Sequence, residues 1–359
     1  MERTFLRNLD LGLVVPASVL LILSLATLFS LNISLFKNQA IFAVLSLGVF
    51  VFFSQVNHKI ARLYGLPIYI ISIILLFIVL IIGIESRGAT RWIEIFGTRL
   101  QFSEVLKPFL VISLASFLST RKNASFSNLV LCIAFLLPIF VLIFLQPDLG
   151  NALIYAGVLV LTLIFFGFPI RYFLGGAVIL ALSSPLIWNL LHEYQRQRIL
   201  TFINPSSDPL GTSYNAIQSI IAVGSGMLLG KGLGQGTQSG LRFLPERHTD
   251  FIFATISEQL GFIGGVLILL AFGFLLYRIF IIYENSNDGF SKIFAGTAFF
   301  LILIQFFVNV GMNIGLLPVV GVTLPFVSYG GSSLLASFIL LGLLSSIEKQ
   351  DKEEVLEIK

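Results

Sequence analysis

Cysteine occurs once in the 359 residues, histidine three times and tryptophan twice. A lone thiol, Cys132 in the apolar run LVLCIAFLL, excludes a disulfide within the chain and a thiolate metal site. His58, His192 and His248 are too scattered for the spacings that zinc sites use. Charge is scarce as well: Asp, Glu, Lys and Arg make up 11% of the chain, against about 25% in soluble domains. In exchange, 57% of the residues are hydrophobic and the mean hydropathy is +0.98. No stretch between the apolar runs is large enough to build a water-soluble core, so residues 1–359 read as one all-α polytopic membrane domain with loops. The net charge is +4, but the bases border apolar runs, which points to anionic lipid and not to nucleic acid as their partner.

Runs long enough to cross a bilayer, about 20 residues each, fall near 11–31, 38–54, 67–84, 104–119, 128–145, 149–167, 171–190, 251–280, 292–315 and 331–347. The first lacks a small-residue cleavage pattern before Asn32 and reads as a retained span. With a cytoplasmic amino terminus, every cytoplasmic segment carries a base: Arg3 and Arg7, Lys59 and Arg62, Arg121 and Lys122, Arg171, Arg278 and Lys292, then Lys349, Lys352 and Lys359. An even number of spans returns the tail, 348–359, to the cytoplasm, and leaves 191–250 as a long extracytoplasmic loop between spans 7 and 8. Arg87, Arg91 and Arg99 break the pattern by clustering on an outer loop with Trp92 and Phe96. Guanidinium forks suit phosphate oxygens; the same composition also serves an interfacial segment lying on lipid headgroups.

Ionisable side chains at membrane depth are costly and mark functional interiors by default. Glu104 and Lys107, spaced i, i+3, share a helix face and either neutralise one another or serve a site. Asp148 follows Pro147 at a span end, where an N-cap and a functional role are both open. Asp250 also stands before a helix, in the company of Glu246, Arg247 and His248. Glu258 lies eight residues on, about 12 Å deeper if helical, and is expected to face an internal cavity. The glycine-rich GSGMLLGKGLGQGTQSG fails the phosphate-loop pattern, with Ser225 at the first glycine and Gly232 at the hydroxyl position; flexible backbone around a cleft is the expected use. Leu317–Ser333, LPVVGVTLPFVSYGGSS, with two prolines and a Gly-Gly, is expected to be a broken, re-entrant segment.

Four stretches together resemble one family: GATRWIEIFGTRLQFSEVLK, QPDLGNAL, the long run from RILTFINPSSDPLGTSYN to LPERHTDFIFATISEQLGFIG, and LLPVVGVTLPFVSYGGSS. In this order and spacing the chain is similar to the shape, elongation, division and sporulation (SEDS) proteins, and its short amino terminus leans toward the elongation type over the division type. The resemblance implies a polymerase of lipid II at the outer face of the bacterial cytoplasmic membrane, working with a class B penicillin-binding protein in the elongation machinery. It implies Asp250 as the catalytic acid residue, with Arg91, Gln101, Glu104, Lys107 and Asp148 at other functional polar positions. For that chemistry Asp250 is the expected general base, and Arg91, Lys107 and Arg198 or Lys231 the expected counter-charges to a diphosphate. Glu258 is placed among the substrate-binding residues. A divalent cation, Mg2+ or Mn2+, is implied by the chemistry and the family, and no ligand set for it is visible. Two rivals share the polar interior: a flippase for lipid II and a scaffold that activates the penicillin-binding protein. Transporters with broken helices often carry them in pairs, and neither HTDFIF nor PFVSYGG has a second copy here.

Overall fold

The computed structural model describes residues 10–86, 89–95, 98–121, 123–209, 211 and 213–357. Arg3, Arg7, Arg87, Phe96, Lys122 and Lys359 lie outside the described residues. The apolar runs fold as helices, since in a bilayer every backbone N–H and C=O must be satisfied within its own segment. The order is α1 (Leu11–Leu31), α2 (Ile33–Phe53), α3 (His58–Leu63) and α4 (Gly65–Ile82), then strands β1 (Ile84–Ser86), β2 (Ala89–Ile95) and β3 (Thr98–Gln101). There follow α5 (Phe102–Val105), α6 (Lys107–Ser119), α7 (Phe126–Leu145), α8 (Leu149–Phe165), α9 (Ile170–Leu190) and α10 (Glu193–Ile203). A 3-10 turn (Pro205–Ser207), α11 (Tyr214–Ser225), α12 (Thr237–Gly240), α13 (Ile252–Asn285), α14 (Gly289–Asn313) and α15 (Gly331–Glu357) complete the described chain.

Eight of these helices, α1, α2, α4, α7, α9, α13, α14 and α15, are long and apolar enough to cross a membrane, and α6 and α8 are shorter apolar helices. They coincide with the ten runs read from the sequence, and the chain is a multi-pass helical membrane protein. Boundaries shift where a polar cap outweighs hydropathy. The second helix begins at Ile33, ahead of Lys37, because the Asn32 side chain accepts from Ser34 N. At the other end, α15 runs on through the expected tail as far as Glu357.

The core forms where α13 packs on α14 and α1, α15 on α2, and α6 on α4 and α14. Phe272, Phe290, Phe294 and Phe326 are buried there. The loop read either as a phosphate contact or as an interfacial segment folds as a three-stranded antiparallel sheet, β1-β2-β3, pairing Trp92 with Gln101 and Glu94 with Arg99. Its third strand leads straight into α5, which fixes Gln101 and Glu104 relative to Arg91.

At the end of the bundle that carries Asp10, Arg278 of α13 donates from Nε to Asp10 Oδ2 at 2.8 Å and from a terminal nitrogen to Glu348 of α15. This cluster ties three helices together with Asp10 and Glu348 largely shielded. Arg278→Ala would remove the guanidinium that joins Asp10 and Glu348, so a loss of about 3 kcal/mol is expected. Thermal scanning in detergent against Arg278→Lys, which keeps the charge and loses the fork, measures it.

Candidate active site

The site is organised by the irregular segment between α14 and α15. Residues 317–330 form no helix, yet Val322, Leu324, Phe326 and Val327 are buried, as expected for a re-entrant stretch. Such backbone is tolerated at membrane depth only when protein satisfies it. Asn309 Nδ2 donates to Val322 O at 2.7 Å, Ser24 Oγ to Val327 O at 2.6 Å and Gln39 Nε2 to Ser328 O at 3.3 Å. Two bonds join the segment to the approach of α13: Ser328 Oγ donates to Thr249 O at 2.8 Å, and Tyr329 N to His248 O at 2.8 Å.

Asp250 is therefore held by its backbone. Its carbonyl accepts from Asn309 Nδ2 at 3.1 Å and Asn313 Nδ2 at 2.9 Å, both from α14. The N-cap role open to Asp250 in the sequence belongs elsewhere. Phe251 is the cap residue and makes no side-chain bond, while Asn313 Oδ1 accepts from Ala254 N at 3.0 Å and satisfies the first turn of α13. The Asp250 carboxylate is left free: among the described residues none donates a hydrogen bond to it. It is half-buried just outside α13, beside Gly321 (φ +72°), where an added Cβ would lie 3.4 Å from Oδ2. Burial pushes its pKa up to about 6; Glu246 and Asp148 push the same way, and Arg198 and Arg91 pull against them.

Asp148 is the opposite case, a buried carboxylate with its oxygens occupied. It accepts from Gln101 Nε2 at 2.8 Å, Asn151 Nδ2 at 3.0 Å and Ser103 Oγ at 3.1 Å, and from Arg91 at 3.4 Å. It also caps α8 through Asn151 N, so the N-cap and the site reading hold together. Arg91 is thus positioned by Asp148 while its side chain stays partly exposed, and its Nε is buried without a partner. Gly150 brings α8 against the re-entrant segment, since a Cβ there would overlap Val320 O.

Glu104 and Lys107 form a buried ion pair at 2.7 Å, the neutralising arrangement that their spacing allowed. Glu104 Oε2 also accepts from Thr323 Oγ1 at 3.3 Å, which links the pair to the re-entrant segment. A cavity of about 10 Å³ between them, Gln305 and Ser333 is at the lower limit for a single water.

Lys231 and Glu258 meet in a different place. Gly261 (φ +66°) breaks α13, and the glycine-rich loop splices into the break. Lys231 N and Gly232 N donate to Glu258 O and Gln259 O, each at 3.0 Å, and Phe262 N donates to Met227 O at 2.7 Å. Glu258 is buried and its carboxylate is occupied. Its oxygens accept from Gln238 N at 2.8 Å and Ser239 N at 2.9 Å, at the start of α12, and Lys231 Nζ lies 3.5 Å away. The physical reason is the helix break: four exposed backbone groups and an anion at membrane depth recruit the nearest amides. The glycines serve close backbone approach, because a Cβ on Gly226 would overlap Ser257 O and one on Gly230 would overlap Gln259 O.

Asn309 and Asn313 were not singled out by sequence reasoning. Two amides at i, i+4 inside the apolar run FFVNVGMN were the available signal. Ser103, Asn151 and Thr323 carried none. Among the described residues no three His, Cys, Asp or Glu side chains converge on a metal position.

The comparisons with known proteins concern the chain as a whole. The family model described as "Cell cycle protein" (FTSW_RODA_SPOVE) matches residues 1–353. The peptidoglycan glycosyltransferase MrdB of Escherichia coli (strain K12) is 38% identical over 310 residues, 86% of this chain and 84% of that one. Stage V sporulation protein E of Bacillus subtilis (strain 168) is 37% identical over 328 residues, 88% of this chain and 87% of that one. Among solved structures, a chain from work on coordination of polymerization and crosslinking by a peptidoglycan synthase complex superposes with TM-score 0.83 at 30% identity, covering 96% of this chain and 98% of that one. The Thermus thermophilus rod shape determining protein RodA, in an aspartate-to-alanine form, superposes with TM-score 0.73 at 28% identity, covering 95% and 98%. With the family model matched over residues 1–353 and relatives 38% and 37% identical over most of their length, the chain belongs to the FtsW, RodA and SpoVE family, the SEDS proteins.

Proposed function

We propose that this protein is a peptidoglycan glycosyltransferase of the bacterial cytoplasmic membrane, polymerising lipid II into β-1,4 glycan strands during elongation beside a class B penicillin-binding protein. The observation that carries the reading is the Asp250 carboxylate: half-buried, free of hydrogen bonds from the described residues, and within the field of Arg91 and Arg198. A general base needs open lone pairs and a pKa near the working pH, and Asp250 has both.

The acceptor's 4-hydroxyl gives its proton to Asp250 as its oxygen attacks the anomeric carbon of the donor. The bond from that carbon to the diphosphate breaks, and the electron pair leaves with undecaprenyl diphosphate. An α-linked donor becoming a β-linked product requires this single displacement. Arg91, oriented by Asp148, and Arg198 supply positive charge toward the leaving group. A cation held by protein alone does not fit the described residues. Asp250, with its open oxygens, would be the residue to hold a Mg2+ or Mn2+ brought with the substrate, and the ion would offset diphosphate charge. Glu104 with Lys107, and Glu258 with Lys231, act as braces in this proposal, and Gln101 as a positioning residue on Asp148.

Only the ionised base accepts a proton, so the rate is expected to fall about tenfold per pH unit below about pH 6 and to level off above it. Initial rates of polymerisation across pH 4.5–8 would give the profile; a flat one removes Asp250 as the base. To separate the enzyme from a flippase, the protein in vesicles is given lipid II on one leaflet. Glycan strands with released undecaprenyl diphosphate are the expected products, and translocation without strands contradicts the proposal.

A further inference from the structure

The re-entrant segment divides in two by the fate of its backbone. From Leu324 on, most amides are used: Leu324 N donates to Ser328 Oγ at 2.8 Å, Val327 N and Ser328 N to Leu324 O at 3.1 and 2.9 Å, and Gly330 N to Gln39 Oε1 at 3.1 Å. From Val319 to Thr323, by contrast, no backbone N–H meets an acceptor among the described residues, and of the carbonyls there Val322 O alone receives a donor from them. Val322 is enclosed, whereas Val319, Val320, Gly321 and Thr323 are half-buried. Backbone groups shielded from bulk water are almost always paired, and irregular backbone that protein leaves unpaired in a membrane domain lines a cavity. Three contacts say which one. Gly150, two residues after Asp148, packs on Val320 O; Asp250 Oδ2 lies 3.4 Å from the place of a Cβ on Gly321; and Thr323 Oγ1 donates to Glu104 Oε2 at 3.3 Å. The unpaired stretch therefore passes Asp250 between the other two acids of the site. Gly321, at φ +72°, brings the main chain there without a side chain over the carboxylate.

We infer that the main chain of Val319–Thr323 binds the acetamido group of the acceptor sugar, an inference that rests on the glycosyltransferase reading above. Two observations select that group. The first is place. Whatever lies beside Asp250 as it takes a proton from the 4-hydroxyl touches the acceptor sugar, and the acetamido group sits on that same ring. The second is the chemistry of the surface. Free N–H and C=O groups in one row match a neutral amide, which has both a donor and an acceptor. A diphosphate could use the N–H groups alone, and it would lie against the carbonyls and the carboxylates of Asp250 and Glu104, where like charge opposes it.

The experiment removes one N–H and no side chain. Cell-free synthesis into nanodiscs places glycolic acid at Gly321, so that an ester oxygen stands where the N–H was. KM for lipid II is expected to rise about three- to tenfold, the usual worth of one hydrogen bond. For a lipid II analogue with a hydroxyl in place of the acetamido group on its terminal glucosamine, the ester is expected to leave KM unchanged. Equal rises for both lipids, or none for either, overturn the inference. Leucic acid at Leu324, whose N–H is spent inside the segment, is the control and is expected to lower the melting temperature. The ester at Gly321 is expected to leave it in place; a drop there assigns that N–H to the fold and overturns the inference. Binding of the two lipids to the Asp250→Asn protein, with and without the Gly321 ester, makes the same comparison without turnover. Absence of glycan strands from the wild type would fail the glycosyltransferase reading, and the binding comparison still decides whether this main chain holds the acetamido group.

Discussion

Asp250→Asn is expected to reduce lipid II polymerisation by about 10²–10⁴-fold, the usual contribution of a positioned base, while the protein remains folded. The separation of activity from stability follows from how the residue is held. Asn309 and Asn313 grip the Asp250 carbonyl, which the substitution leaves in place, and the carboxylate makes no bond to the described residues that the fold would miss. The proton balance points the same way. The native carboxyl, at about pKa 6, holds its proton more tightly than the ordinary value of 3.8. Any stability this group confers is therefore present below pH 3.8 and lost as the pH rises through about 6. At neutral pH the wild type carries that cost and a neutral amide does not, so the melting temperature of Asp250→Asn is expected to equal or exceed that of the wild type. Thermal scanning beside the rate measurement checks both; a lowered melting temperature would assign Asp250 to the fold.

Gly230→Ala is expected to do the reverse and remove the fold. At φ +82° an alanine is strained, by about 1–2 kcal/mol, and its Cβ would overlap Gln259 O where the loop enters the break in α13, a further cost of about 1–3 kcal/mol. The loop amides of Lys231 and Gly232 would be displaced from the carbonyls of Glu258 and Gln259. Glu258 would then sit at membrane depth with its partners withdrawn. A loss of about 3 kcal/mol or more, seen as little monodisperse protein in detergent, is the expected outcome. Gly224→Ala is the control: that glycine lies in α11 with nothing within 4 Å of an added Cβ, and the substitution should be tolerated. Equal yields from the two variants would remove the splice from the account.

What the sequence disclosed and what it hid divide along the range of the interactions. The spans were legible because length and apolarity alone specify a membrane helix. The break over 317–330 was legible because two prolines cannot continue a helix, while Gly331–Ser333, expected in the broken segment, open α15. The pairing of Glu104 with Lys107 needed only helical spacing. The sheet was hidden by composition: arginines and aromatics suggested an interfacial segment, although Trp92, Ile93 and Ile95 near Gly97 are strand-forming residues beside a turn former. The surroundings of Glu258 were hidden because its run reads as an unbroken helix, and Gly261 alone did not reveal that a loop 30 residues upstream would enter the break. Nothing local to Asp250 told that its cap role had passed to Asn313, 63 residues away. Contacts at such separations set the chemistry here, because they decide which carboxylates are occupied and which is free.

The most direct measurement is polymerisation of purified lipid II in detergent with Mg2+ or Mn2+, with and without a cognate class B penicillin-binding protein, comparing wild type with Asp250→Ala. Glycan strands and undecaprenyl diphosphate from the wild type, and neither from Asp250→Ala, are predicted. No strands from the wild type with its partner present, or equal strands from the variant, would contradict a glycosyl transfer that depends on Asp250.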